Sequence, residues 1–282
     1  MHRYLLYFFL VFSLFFCLSC NKDKFKAPES SFLVINPVEL KTIAGQGENT
    51  HNITDIWYYV NGKFKGVFPV GSVMPIVASG NTEIILYAGI KNNGISATRL
   101  PYPLFNAVTI HQDIEAGKTY TFSPEFQYNS GAFFYYADDF QSFGTFFSSA
   151  GECDYINTST YDPSKSYGGS GGSIYMKMTD AEPTSVMKQN TAYFLPGSGA
   201  TVYLELNYKC NQPFEVGVLG SGSAERTAIT VNTSEEWNKI YVQLTNVVST
   251  QPVYPDYQVF IKARKSVESP EIYIDNVKLI FQ

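Results

Sequence analysis

Histidine and cysteine are scarce. The chain has three histidines and four cysteines in 282 residues. His2 and Cys17 fall in an N-terminal leader, so the body keeps His51, His111, Cys153 and Cys210, with Cys20 at its start. A histidine metal site or a Cys–His nucleophile has little to build on. Basic charge is also short: 20 Lys and Arg stand against 25 Asp and Glu, a net charge of −5, with no basic cluster. Nucleic acid is therefore not an expected partner, because its binding requires phosphate neutralisation. The longest apolar run, Tyr4–Phe16, holds about 13 residues against the ~20 a membrane-spanning helix needs. Later apolar runs are broken by charge, Gly or Pro, and helical periodicity is not sustained anywhere after the leader.

Met1–Ser19 has the layout of a secretory signal: a short basic start (His2, Arg3), the apolar run, then small and polar residues. Cys17-Leu18-Ser19-Cys20 resembles a bacterial lipoprotein box. Ser19 fits the small residue before the modified cysteine, while Cys17 and Leu18 depart from the usual pattern. The resemblance implies cleavage before Cys20, a diacylglycerol on its thiol and acylation of its amine. Several acyl chains on one residue anchor firmly. Asn21-Lys22-Asp23-Lys24 and the Tyr/Phe/Asn-rich body resemble lipoproteins of the Bacteroidota, in which a charged stretch after the cysteine directs transfer to the outer leaflet. Lys22 and Asp23 match that stretch. The implied location is the outer membrane, at the cell surface and held by lipid alone. Residues 21–30 read as a flexible tether.

Aromatics make up 16% of the chain, as many as all charged residues, which suits half-buried strands. Short alternating runs recur between Gly, Pro, Asn and Asp clusters, so the expected fold is all-β. A first domain is expected over residues 31–123. Its clearest element is a hairpin, Thr54–Val60 and Lys63–Phe68 around Asn61-Gly62, because Asn-Gly supplies the two positive-φ residues of a tight turn. Gly80-Asn81 and Gly117-Lys118 lead into further strands. This order resembles immunoglobulin-like or PEGA-like β-sandwich modules, which implies a spacer or docking role.

A second domain is expected over 124–282. It opens with Tyr136-Ala137-Asp138-Asp139-Phe140, passes a glycine-rich turn at 168–172, and closes with Ile272-Tyr273-Ile274-Asp275-Asn276-Val277. Between these lie alternating runs at 201–209, 214–218, 237–244 and 257–263. The order resembles the jelly-roll β-sandwich of galactose-binding-like and carbohydrate-binding modules. The resemblance implies glycan binding, and it places Asp139 and Asp275, with Asp138 beside them, near a structural Ca²⁺ position. Calcium favours carboxylate and carbonyl oxygens; no cofactor is otherwise required.

Sugar binding needs exposed aromatic faces beside hydrogen-bonding groups. Two loops offer them: Tyr254 and Tyr257 around Pro255-Asp256, and Tyr161 and Tyr167 flanking Asp162 and Lys165. Trp237 is expected in the core, and Trp57 lies in an aromatic strand with one face open. Gly168-Gly169-Ser170-Gly171-Gly172 matches the Gly-x-Ser-x-Gly pattern in letters, but no strand precedes it and no His follows it, so it reads as a loop. Asp138, Asp139, Glu152, Asp154, Glu205 and Asp275 could supply a hydrolase's two acids by count, yet their spacing selects no pair, and an enzyme is not expected. In an oxidising compartment Cys153 and Cys210 either form one disulfide or remain separate buried thiols. The leading expectation is a surface lipoprotein that binds glycan through its C-terminal domain. The alternative is a non-catalytic scaffold or accessory subunit of an envelope secretion, adhesion or motility complex.

Overall fold

The computed structural model describes residues 29–141, 147–149, 155–157, 163–169, 172–197, 199–221 and 224–282. The first domain comprises β1 (Ser31–Ile35), β2 (Glu39–Lys41), β3 (Asp55–Val60), β4 (Lys63–Pro69), β5 (Val73–Ile76), β6 (Gly80–Lys91), β7 (Arg99–Pro101), β8 (Val108–Ile114), β9 (Thr119–Phe122) and β10 (Glu125–Gln127). The second comprises β11 (Phe133–Asp138), β12 (Phe147–Ser149), β13 (Tyr155–Asn157), β14 (Ile174–Met176), β15 (Thr184–Gln189), β16 (Val202–Cys210), β17 (Phe214–Gly220), β18 (Ala224–Val231), β19 (Ser234–Gln243), a short helix α1 (Thr245–Ser249), β20 (Tyr257–Arg264) and β21 (Ile272–Phe281). The all-β expectation holds.

In the first domain, β4-β3-β6 form a sheet with β7 and β8 both along β6, and β5-β1-β9 form a second. Asn61 and Gly62 turn the β3–β4 hairpin at φ 49° and 72°, as the dipeptide requires. The domain runs past residue 123. Strand β10 pairs in parallel with β2, and Phe126 and Tyr128 join the first core. Parallel pairing with a strand some 85 residues earlier leaves no local signal, so the sequence boundary falls short.

The second domain is a jelly-roll sandwich of two antiparallel sheets, β13-β14-β21-β16-β19 and β12-β15-β20-β17-β18, with β11 lying beside β21. Between them is a core that includes Leu204, Leu206, Val216, Val218, Ile261 and Leu279. Strands β16 and β21 are buried on both faces. Their even-numbered β16 side chains enter the sandwich core, whereas Tyr203, Glu205 and Asn207 point the other way. With Lys239 and Tyr241 of β19 and Lys278 and Ile280 of β21, they meet the first domain, and Tyr203, Tyr241 and Ile280 belong to its core.

At the centre of this junction lies the fully buried Glu205 carboxylate. Lys239 Nζ is 2.8 Å away, and the hydroxyls of Tyr102 and Tyr128 donate to it at 2.8 and 3.0 Å. Lys239 also donates to Thr50 Oγ1 (3.1 Å), which donates to Asn207 Oδ1 (2.8 Å). Lys278 Nζ donates to the Glu48 carbonyl. Burial pushes the Glu205 carboxyl up, but the charges of Lys239 and Lys278 and the bonds from Lys239 and Tyr102 outweigh it, so the acid stays ionised. One carboxylate cannot compensate two ammonium groups. Burial, then repulsion from Lys239, depresses Lys278 to about 7 against the opposing pull of Glu205 and Glu48.

Two outcomes follow for stability. Glu205→Ala leaves Lys239 buried and uncompensated, and urea unfolding is expected to show a loss of ~3–5 kcal/mol; replacing Glu205 and Lys239 together by Met costs much less. A loss within ~1 kcal/mol for the single change would mean that the pair is solvated. Lys278 binds fewer protons folded than unfolded between pH 7 and 10.5, so its contribution to stability rises with pH in that window. The wild type is expected to gain on the order of 1–2 kcal/mol relative to Lys278→Met from pH 7 to pH 9, and parallel pH profiles would contradict this.

Candidate ligand groove at the domain junction

Beside this junction the two domains leave an open groove. Asp275 lies on β21 opposite Asn207 of β16, where the pairing slips by a bulge between Glu205 and Asn207. Asn276 turns left-handed there at φ 48°. Both Asp275 carboxylate oxygens accept backbone hydrogen bonds: Oδ1 from Asn276 N (2.7 Å) and Oδ2 from Tyr167 N (2.9 Å). The second bond ties a tight turn, Tyr167–Gly169, to β21 in the interior of the sheet. Gly168 and Gly169 both sit at φ 74° in that turn, a conformation that favours glycine. Burial raises the Asp275 carboxyl to about 7; the two amide bonds pull it down, while Asp139 and Asp138 push it up. At the end of β11, Asp138 and Asp139 accept from the Phe140 and Gln141 amides (2.9 and 3.2 Å).

A pocket of about 190 Å³ joins these elements, with Asp139, Gln141, Tyr167 and Asp275 on one wall and Glu48, Asn49 and Thr50 of the first domain on the other. Through Asn49, Thr50 and Tyr167 it runs on into a wider groove of about 490 Å³, lined also by Glu39, Leu40 and His51. His51 is held below the usual histidine range by burial and by Lys239, against a backbone bond to Val38 and the Glu39 charge, so it is uncharged at neutral pH. Further along the sheet face, Tyr175 and Tyr273 stack at 5.2 Å and 24°. Trp237 meets Tyr167 edge-on at 6.0 Å.

The groove thus brings together Tyr167, Asp139 and Asp275, three of the residues singled out in the sequence. Tyr161 lies outside the described residues. The other aromatic loop does not form a site. Tyr257 is fully buried in the sandwich core, its hydroxyl donating to the Val248 carbonyl and accepting from Tyr254 N. The Tyr254 ring lies against Gly220, where a Cβ would come within 2.1 Å of it, and the Arg226 guanidinium covers it at 4.9 Å. Arg226 in turn donates to the carbonyls of Val247, Thr250 and Pro252. Both tyrosines brace the loop: Tyr257 is enclosed, and Tyr254 is partly buried between Gly220 and Arg226. Trp237 is half-buried, edge-on against Tyr167, rather than in the core.

Cys210 is a free, buried thiol that donates to the Asn232 carbonyl; Cys153 lies outside the described residues, as do Glu152, Asp154 and Ser170. Glu205 is committed to its ion pair. Among the described residues no three His, Cys, Asp or Glu side chains converge on a metal position, so a cation at Asp139 and Asp275 would need neutral oxygens as well. The charge there does suit one: Asp275 is a buried carboxylate with a second carboxylate close by. Asn49 and His51 carried no signal in the sequence, because nothing local shows that the β2–β3 loop folds over the second domain; Gln141, just past β11, has no distinctive pattern of its own.

No family model and no curated protein matches the chain. Among solved structures it is similar to the family 29 carbohydrate-binding module CBM29-2 complexed with cellulohexaose, at 12% identity and a TM-score of 0.38, over 54% of this chain and 93% of that one. The same module complexed with mannohexaose matches at 13% identity and 0.38, over 53% and 92%. A further family 29 module matches at 14% and 0.37, over 53% and 88%. Likeness of that degree assigns no ligand to this chain.

Proposed function

We propose that the protein is a non-catalytic glycan-binding lipoprotein, held by a lipid on Cys20 at the outer membrane and facing outward. The observation that carries the binding reading is the groove itself: Tyr167, braced edge-on by Trp237, presents aromatic surface beside the carboxylate of Asp139 and the amides of Asn49 and Gln141. A pyranose offers C–H patches to such rings and hydroxyls to such oxygens and amides. Calcium at Asp139 and Asp275 would offset the buried charge of Asp275 and fix the Tyr167 turn. Two carboxylates make a weak set, with affinity in the ~10⁻⁴–10⁻³ M range of extracellular modules.

The second reading, a docking subunit of an envelope assembly, is favoured by a different surface. Trp57, Phe64, Tyr59 and Tyr87 form an aromatic strip on the outer sheet face of the first domain, with neighbouring centroids 5.2 to 5.7 Å apart. Phe64 is 51% and Tyr87 38% exposed.

Residues 21–282, screened on a broad glycan array with and without Ca²⁺, are expected to bind saturably. Tyr167→Ala should weaken binding by about tenfold or more, the equivalent of ~1.4 kcal/mol, while Phe64→Ala leaves it intact. Silence from folded protein, or loss only with Phe64→Ala, would favour the docking reading.

A further inference from the structure

The β2–β3 loop reaches the groove in an alternating arrangement. Three positions are fastened to the second domain: the Glu48 carbonyl by Lys278, Thr50 by Lys239 and Asn207, and Asn52 by several bonds. The Asn52 amide donates to Tyr241 Oη (3.0 Å), and its side chain donates to Asn238 Oδ1 (3.0 Å) and the Lys239 carbonyl (2.9 Å). Asn49 and His51, between these anchors, line the groove together with Glu48 and Thr50. A loop fixed at every second residue presents the intervening side chains without ordering them on binding, which is how preorganisation raises affinity.

The charges of the groove have one sign. Glu39 and Glu48 come from the first domain and Asp139 and Asp275 from the second, with no Lys or Arg among the described residues that line it. Lys239 is buried against Glu205, and Lys278 is buried at the junction with its ammonium group on the Glu48 carbonyl. An acidic ligand would meet like charges, each raising the cost of entry in a partly desolvated cleft.

We propose that the ligand site is composite, with Asn49 and His51 of the first domain as ligand-contacting residues opposite Tyr167, and that it accepts uncharged or amine-bearing glycans and rejects acidic ones. This inference rests on the glycan-binding reading above and deepens it. It turns the first domain from a spacer into half of the binding site, so its docking on the sheet is a condition of recognition.

The test uses the chain from residue 21 onward, in EDTA so that no cation bridges ligand and protein. Calorimetric titration is run with mannohexaose, chitohexaose, a chitosan hexamer and hexagalacturonate. At least one of the first three is expected to bind, and hexagalacturonate at least tenfold more weakly. Asn49→Ala is expected to weaken the neutral or amine-bearing ligand by about tenfold, as for a lost hydrogen bond of ~1.4 kcal/mol, with an unchanged melting temperature as the control for folding; His51→Ala, whose ring is held by Ile53 N and Val38, is expected to weaken it through the lost ring contact. Binding abolished by Tyr167→Ala but untouched by His51→Ala and Asn49→Ala would overturn the composite site and leave the glycan reading standing. Hexagalacturonate bound as tightly as the others in EDTA would overturn the charge selection. Silence with all four hexamers would remove the glycan reading and this inference with it.

Discussion

Glu205 is an acid enclosed on every side, and its enclosure requires both domains. Lys239 comes from the adjacent strand of the same sheet, whereas Tyr102 and Tyr128 come from the first domain. Neither domain alone would satisfy the carboxylate. Removing the first would leave Glu205, Asn207, Lys239 and Lys278 on an open sheet face, and removing the second would uncover the first core where Tyr203, Tyr241 and Ile280 close it. Buried charges of this kind add little net stability over apolar packing. They do fix one arrangement, because any other docking leaves a charge without its partners.

The groove inherits its shape from that arrangement. Lys239 bonds both Glu205 and Thr50, so the ion pair and the groove wall share a side chain. Asp275 sits one bulge further along the same sheet face and holds the Tyr167 turn by its backbone amide. The site is therefore made from three elements: a loop of the first domain, brought in by docking, and an interior strand and a glycine-permitted turn of the second.

Much of the fold was legible locally. The β3–β4 hairpin, the β9 strand and the five principal strands of the second domain lie where alternation and turn residues place them, within a few residues. What failed were statements about which surface a side chain meets. Val202 to Lys209 alternates apolar and polar residues, which reads as one buried and one wet face; in the fold the polar face is an interdomain contact. Tyr254-Pro255-Asp256-Tyr257 has the composition of an exposed loop, yet Gly220 and Arg226, both distant in sequence, enclose the ring of Tyr254. Tyr167, Asp139 and Asp275 were found by residue type and order. Their companions Asn49 and His51 were not, because contacts between residues some 90 or more positions apart leave no mark on either segment, and Gln141, though close to Asp139 in sequence, has no distinctive pattern of its own.

The most direct test of this account is whether the two domains unfold as one. Differential scanning calorimetry of the chain from residue 21 should give a single transition whose van't Hoff and calorimetric enthalpies agree. In Glu205→Ala it should move to lower temperature or split. Two separate transitions in the wild type, with Glu205→Ala shifting neither, would contradict the claim that the buried carboxylate joins the domains into one unit.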